Sequence, residues 1–105
     1  MSQFGMHVKF TAKSGQRDAL VAILLEGQAA MESIHECELY IVSVSDTDPD
    51  AIWVTEVWSD AEAHAASLAL DETKAAIQRA MPLIAHIDAV KMKPAGGKGL
   101  RPAAI

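Results

Sequence analysis

Apolar and polar residues alternate at the start of the chain, where Phe4, Met6, Val8 and Phe10 stand against Gly5, His7, Lys9 and Thr11. A period of two puts the two sets on opposite faces of an extended backbone, so residues 4–12 predict a strand. Ser14, Gly15 and Gln16 supply a turn. After it Leu20, Ile23, Leu24, Met31 and Ile34 recur at near-helical spacing, which predicts a first helix to about residue 32. Strand patterning returns at 38–45 and at 51–58. The spacer between them, Asp46-Thr47-Asp48-Pro49-Asp50, is dense in turn formers, and the pair reads as a hairpin.

Ser59-Asp60-Ala61-Glu62 matches a capping box, with the serine hydroxyl taking a backbone N–H three residues on and Glu62 reaching back. The Ala-rich stretch from Ala61 to about Leu70 and a further stretch at 72–81 predict two consecutive helices, broken near Leu70-Asp71 and closed by Pro82; a single kinked helix is the alternative. Residues 86–93 predict a fourth strand. From Pro94 onward, with Gly96-Gly97-Lys98-Gly99, the composition is that of a loop. The expected organisation is therefore one domain over residues 1–93 and a tail over 94–105.

The order β-α-β-β-α-β predicts an α+β fold of the ferredoxin-like kind, an antiparallel sheet with its helices on one face. In a lone subunit the other face should be polar. Both parities of the hairpin are apolar instead: Leu39 and Ile41 alternate with Tyr40, Val42 and Val44, and Ile52, Val54 and Trp58 with Trp53 and Val57. A sheet that is apolar on both faces calls for a covering partner, and face-to-face pairing into a homodimer is the expectation.

Composition narrows the function. The 105 residues carry a formal charge of -5, and the nine Lys and Arg are spread out except for Lys91, Lys93, Lys98 and Arg101 near the end. Nucleic acid is not an expected partner, because phosphate binding needs clustered positive charge. No run approaches the ~20 apolar residues that span a bilayer, so no membrane partner is expected. Residues Met1 to Gly5 lack the basic-then-apolar pattern of a leader, which makes a cytoplasmic location the expectation. Cys37 is the only cysteine, with no basic neighbour in sequence to activate it, and it reads as a small apolar residue. His35-Glu36-Cys37 lacks metal-ligand spacing, and no phosphate-binding glycine loop precedes a helix, so neither metal nor nucleotide cofactor is expected.

The stretch Thr55-Glu56-Val57-Trp58-Ser59-Asp60-Ala61-Glu62-Ala63 resembles the Glu-x-Trp strand end and acidic, Ala-containing helix start of the antibiotic biosynthesis monooxygenase family. Strand one leading into Thr11-Ala12-Lys13-Ser14-Gly15-Gln16, and Pro82-Leu83-Ile84 before the last strand, are similar to members taken to oxidise quinols. The resemblance spans nearly the whole chain. It implies a dimeric α+β barrel, a pocket between each sheet and its own helices, and oxygenation of phenols or quinols by dioxygen without metal or flavin. Many relatives carry histidines where this chain has Ser67 and Glu72; His64, three residues before Ser67, offers an imidazole from a nearby face of the same helix.

Triplet dioxygen reacts slowly with closed-shell molecules, but an ionised phenol can pass it one electron and then recombine. A phenol of pKa ~10 is protonated at neutral pH, so a positioned base contributes roughly 100- to 10,000-fold. His64 and Glu56 are the candidate catalytic residues. Trp58 is the candidate aromatic wall, with His7 and Leu68 as further substrate contacts. Each has a plainer alternative: a core tryptophan, a paired or interfacial carboxylate, a hydrogen-bonded boundary histidine. Two other functions fit the resemblance. One is a non-catalytic dimer that holds an apolar metabolite; the other is haem binding and degradation, for which the usual helix position lacks its axial histidine.

Overall fold

The computed structural model describes residues 3–100; the first two residues and the last five of the expected tail, Arg101 among them, lie outside the described residues. Four strands, β1 (Phe4–Ala12), β2 (Cys37–Val44), β3 (Ala51–Trp58) and β4 (Ile84–Met92), form one antiparallel sheet in the order β2-β3-β1-β4. Helices α1 (Arg17–Met31), α2 (Ala61–Leu68) and α3 (Asp71–Ala80) pack against the sheet and one another, and a 3-10 turn at Met81–Leu83 leads into β4. This is the ferredoxin-like α+β arrangement that the order of elements predicts, with its second helical region divided in two.

Local chemistry sets the junctions. Gly15 adopts φ 78°, a conformation that a side chain would strain, and the turn closes with the Gln16 N–H donating to Lys13 O at 2.9 Å. Arg17 then ties the start of α1 to the hairpin by donating to the carbonyls of Ser45 and Asp48 at 3.3 and 3.2 Å. Within the hairpin loop the Ser45 hydroxyl accepts the Thr47 and Asp48 N–H groups, and the Asp48 carboxylate accepts that of Asp50. These side chains satisfy backbone donors that the strands cannot reach.

The helix cap differs from the sequence expectation. Asp60, not Ser59, caps α2: its backbone is extended and its carboxylate accepts the Ala63 N–H at 2.7 Å. Ser59 is still held by the strand region, its N–H donating to Glu36 O at 2.8 Å and its hydroxyl to the Glu38 carboxylate at 3.1 Å. The break before α3 is real, because Leu70 is extended (ψ 140°) and Asp71 and Glu72 bring negative charge to the new N-terminus. Strand β4 begins at Ile84, two residues before the pattern predicts. The 3-10 turn delivers the chain directly beside Ala12, and Lys13 N–H donates to Leu83 O at 2.8 Å.

Register decides which parity faces the helices. Met6 pairs with Glu56, Val8 with Val54 and Phe10 with Ile52, while Val8 and Phe10 meet Ala89 and Ile87 on the other side. The packed core sits at one end of this inner face, where Ala12, Leu20, Ile52 and Ala80 are buried together and Phe10, Val42 and Ile84 close around them. The outer face carries Ile41 and Val90 about half exposed, 50% and 56%. At its far end Pro94 folds back over Gly5, where a Cβ would lie 3.5 Å from the proline ring. Among the described residues no helix is long and apolar enough to cross a membrane.

Candidate functional site

Beyond the packed core the inner sheet face and the three helices diverge and leave a cavity of about 470 Å³. Its walls are overwhelmingly apolar, with Met6, Val8 and Phe10 from β1 facing Leu24 of α1 and Ile77 of α3. Such a volume lies in the range that encloses an organic molecule of drug-like size. Five half-buried or buried polar residues line it: Tyr40, Glu56, His64, Ser67 and Thr73.

Glu56 is an inward residue of β3, flanked in the sheet by Met6 and Tyr40. Two residues on, and therefore on the same side, Trp58 donates its indole N–H to Glu56 Oε1 at 3.0 Å. That bond fixes the carboxylate and leaves its remaining lone pairs to the cavity. Across from it, His64 Nε2 stands 3.9 Å from Glu56 Oε1, and both side chains are largely buried, 15% and 13% exposed. The imidazole is wedged between Phe4, centroids 5.0 Å apart, and the edge of Trp58 at 5.5 Å. Ser67 is 4% exposed and its hydroxyl donates to the carbonyl of His64 at 2.6 Å, which ties the next turn of α2 to the residue below. The site is thus a carboxylate and an imidazole held by an aromatic frame rather than by solvent.

Tyr40 adds a phenolic hydroxyl opposite Glu56. Burial drives its pKa well above the ordinary 10.0, and the neighbouring Glu56 carboxylate and Cys37 push the same way. Through neutral and mildly alkaline pH it is therefore a neutral donor. The cation on the cavity lining is Arg79, exposed at the rim and engaged with Glu26 across α1 and α3 at 2.6 Å. With Glu56 and Glu72 also on the lining, the cavity disfavours anionic ligands and suits a neutral one with a hydroxyl to donate. Among the described residues no group of three His, Cys, Asp or Glu side chains is placed to hold a metal ion.

The structure brings Glu56, His64 and Leu68 to the cavity, Leu68 as part of an exposed apolar rim with Ile77, Met81 and Ile87. Two candidates fall elsewhere. Trp58 is fully buried behind Glu56 and His64, so it supports those groups and is not a cavity wall. His7 occupies the outer sheet face, with Nδ1 3.1 Å from Thr55 Oγ1, its ring stacked on Trp53 at 4.8 Å and Lys9 Nζ 5.6 Å from the same indole. The strand parity that carries Met6 and Val8 is the one that meets the helices, so His7 cannot reach the cavity. Tyr40 escaped the sequence reading. Its inward parity is visible in the alternation of β2, but its pairing with Glu56 depends on a hairpin register that shifts between Cys37 and Leu39.

Comparison with known proteins agrees with this fold. The sequence pattern of the antibiotic biosynthesis monooxygenase family matches residues 3–79. A crystal structure of a Chloroflexus aurantiacus J-10-fl protein, provisionally named an antibiotic biosynthesis monooxygenase, is 44% identical, with TM-score 0.87 over 95% of this chain and 100% of that one. Similarly named proteins from Caulobacter crescentus CB15 and Nitrosomonas europaea share the fold at 16% and 12% identity, each with TM-score 0.85. The first match covers 90% of this chain and 92% of the other; the second covers 90% and 91%. No curated protein matches the chain.

Proposed function

Because the chain belongs to the antibiotic biosynthesis monooxygenase family, we propose that it oxidises a quinol-like or phenolic small molecule with dioxygen, without metal or organic cofactor, as a cytoplasmic homodimer. The observation that carries this reading is the Glu56–His64 pair, set 3.9 Å apart at the wall of an otherwise apolar cavity. A phenol seated there donates its proton to this pair, a step that general-base catalysis accelerates roughly 100- to 10,000-fold. The resulting phenolate passes one electron to dioxygen, and the phenoxyl radical and superoxide recombine to a carbon-bound peroxide. Loss of the ring proton at that carbon breaks the O–O bond, leaving a quinone carbonyl and, with the proton held by the pair, one water. The apolar lining excludes bulk water from the radical pair, and the neutral Tyr40 hydroxyl donates to the substrate oxygen as charge develops on it.

Exposed apolar side chains on the outer face support the homodimer. Ile41 and Val90 are about half exposed there, beside the stacked rings of His7 and Trp53. Ile41→Asp should halve the molar mass measured by light scattering, and an unchanged mass would place any subunit contact elsewhere.

A second reading, binding without turnover, is favoured by one observation: the cavity lining carries Ser67 and Glu72, the positions at which the resemblance puts histidines in many relatives. Oxygen uptake by metal-stripped protein, measured against quinols and phenols with autoxidation subtracted, separates the two. Glu56→Gln and His64→Ala should each reduce saturable uptake by about 100-fold or more. Saturable ligand binding with uptake no faster than autoxidation would establish the second reading instead.

A further inference from the structure

We propose that Gly27 sets the upper size of the ligand that the cavity accepts. The inference rests on the reading above that the cavity holds a neutral aromatic molecule. The inward stripe of α1 runs through Leu20, Ile23, Leu24, Gly27 and Met31, the spacing of residues that share one helix face. Gly27 lines the cavity, and nothing lies within 4 Å of the point where a Cβ would stand.

Glycine inside a helix is unfavourable, typically lowering the folding equilibrium constant about two- to five-fold relative to alanine. Three structural reasons can justify it, and none applies here. Its φ is not positive, since the positive-φ glycines are Gly15, Gly96, Gly97 and Gly99. No backbone or side chain approaches it closely enough to require a missing Cβ. It also lies a full turn before Met31, the last residue of α1, so it is not a helix terminator. What the absent side chain preserves is empty volume on the ligand side of the helix. A ligand that fills the space at Gly27 is larger than one that meets only Glu56 and His64, and ring number is the measure that tests it.

The probes are phenol, 1-naphthol and 9-phenanthrol, neutral hydroxyl compounds of one, two and three rings. Binding is read from quenching of the indole fluorescence, Trp58 being packed against the cavity residues Glu56 and His64. Wild type should bind the three-ring probe tightest. Gly27→Ala should raise the melting temperature, and Gly27→Leu should weaken 9-phenanthrol by about tenfold or more while moving phenol by less than about threefold. Ala22→Leu, on the exposed side of the same helix, should leave all three unchanged. A Gly27→Leu protein that binds 9-phenanthrol as wild type does would overturn the proposal while leaving the cavity reading intact. So would a Gly27→Ala protein that melts lower, because open space at the Cβ position requires the opposite. If wild type binds no ring of any size, the cavity reading itself fails and this inference goes with it.

Discussion

Leu20 and Gly27 lie two turns apart on the same face of α1, yet they border opposite kinds of interior. Leu20 is fully buried in a cluster with Ala12, Ile52 and Ala80, whereas Gly27 opens onto the cavity. The sheet beneath them is continuous; what differs is what lies across the gap. Near Leu20, α1 and the end of α3 meet the sheet closely enough for Ala80 to be 6% exposed. Toward Gly27 the helices stand off, and the space is bounded by polar groups on β2, β3 and α2. A single amphipathic stripe therefore serves as core at one end and as binding wall at the other. Hydrophobic patterning by itself does not distinguish filling from lining.

Leu20→Ala should give the largest effect on this contrast. Truncating a fully buried leucine costs about 2–5 kcal/mol, which denaturant melts would read as a large drop in midpoint at constant slope. A cost below about 1 kcal/mol would mean that the packed end is as loose as the hollow one.

Tyr40 sharpens the comparison from the hollow end. Its folded pKa is raised, so above the unfolded value of 10.0 the unfolded chain releases a proton that the folded chain keeps. Stability from this group is fully present below pH 10 and is lost as pH rises beyond it, by up to about 1.4 kcal/mol per pH unit. Tyr40→Phe should remove that component between pH 10 and 11. Identical alkaline profiles for the two proteins would show that the hydroxyl is not desolvated in the cavity.

Asp60→Ala removes the carboxylate that caps α2 and should cost about 1 kcal/mol. The loss should be local, with faster amide exchange in α2, which carries His64, and unchanged protection at the start of α1. Uniform acceleration across both helices would mean that the two ends unfold as one unit. The smallest effect belongs to Ile77→Ala at the cavity rim. Ile77 is already 44% exposed, so the change should cost less than about 1 kcal/mol while weakening aromatic probes. A cost matching that of Leu20→Ala would erase the distinction between the two ends.

Particular residues show how far the sequence reading reached into the site. Alternation over residues 4–12 and 51–58 marks β1 and β3 with their observed limits, because period-two patterning is a local property. Glu56 and Trp58 could be read as sharing one side of β3 for the same reason. Their roles could not be: the indole turns inward and donates to the carboxylate, a result of packing under α2 that leaves Glu56, not Trp58, on the cavity. His7 shows the limit more sharply. Its position opposite Met6 was legible, but the face that receives the helices depends on where α1 and α2 cross the sheet.

What the sequence by itself determined is the order of strands and helices, their approximate ends, and a hairpin with apolar residues on both parities. Those features follow from side-chain period, turn formers and caps, which act within a few residues. The tertiary structure alone decided that Asp60 rather than Ser59 caps α2, that Tyr40 stands beside Glu56, and that α1 is packed at Leu20 and hollow at Gly27. The cap is a choice between two adjacent capping residues that the motif leaves open; the other two depend on strand register and on the separation of helices far apart in the chain, and no local pattern encodes a distance between elements.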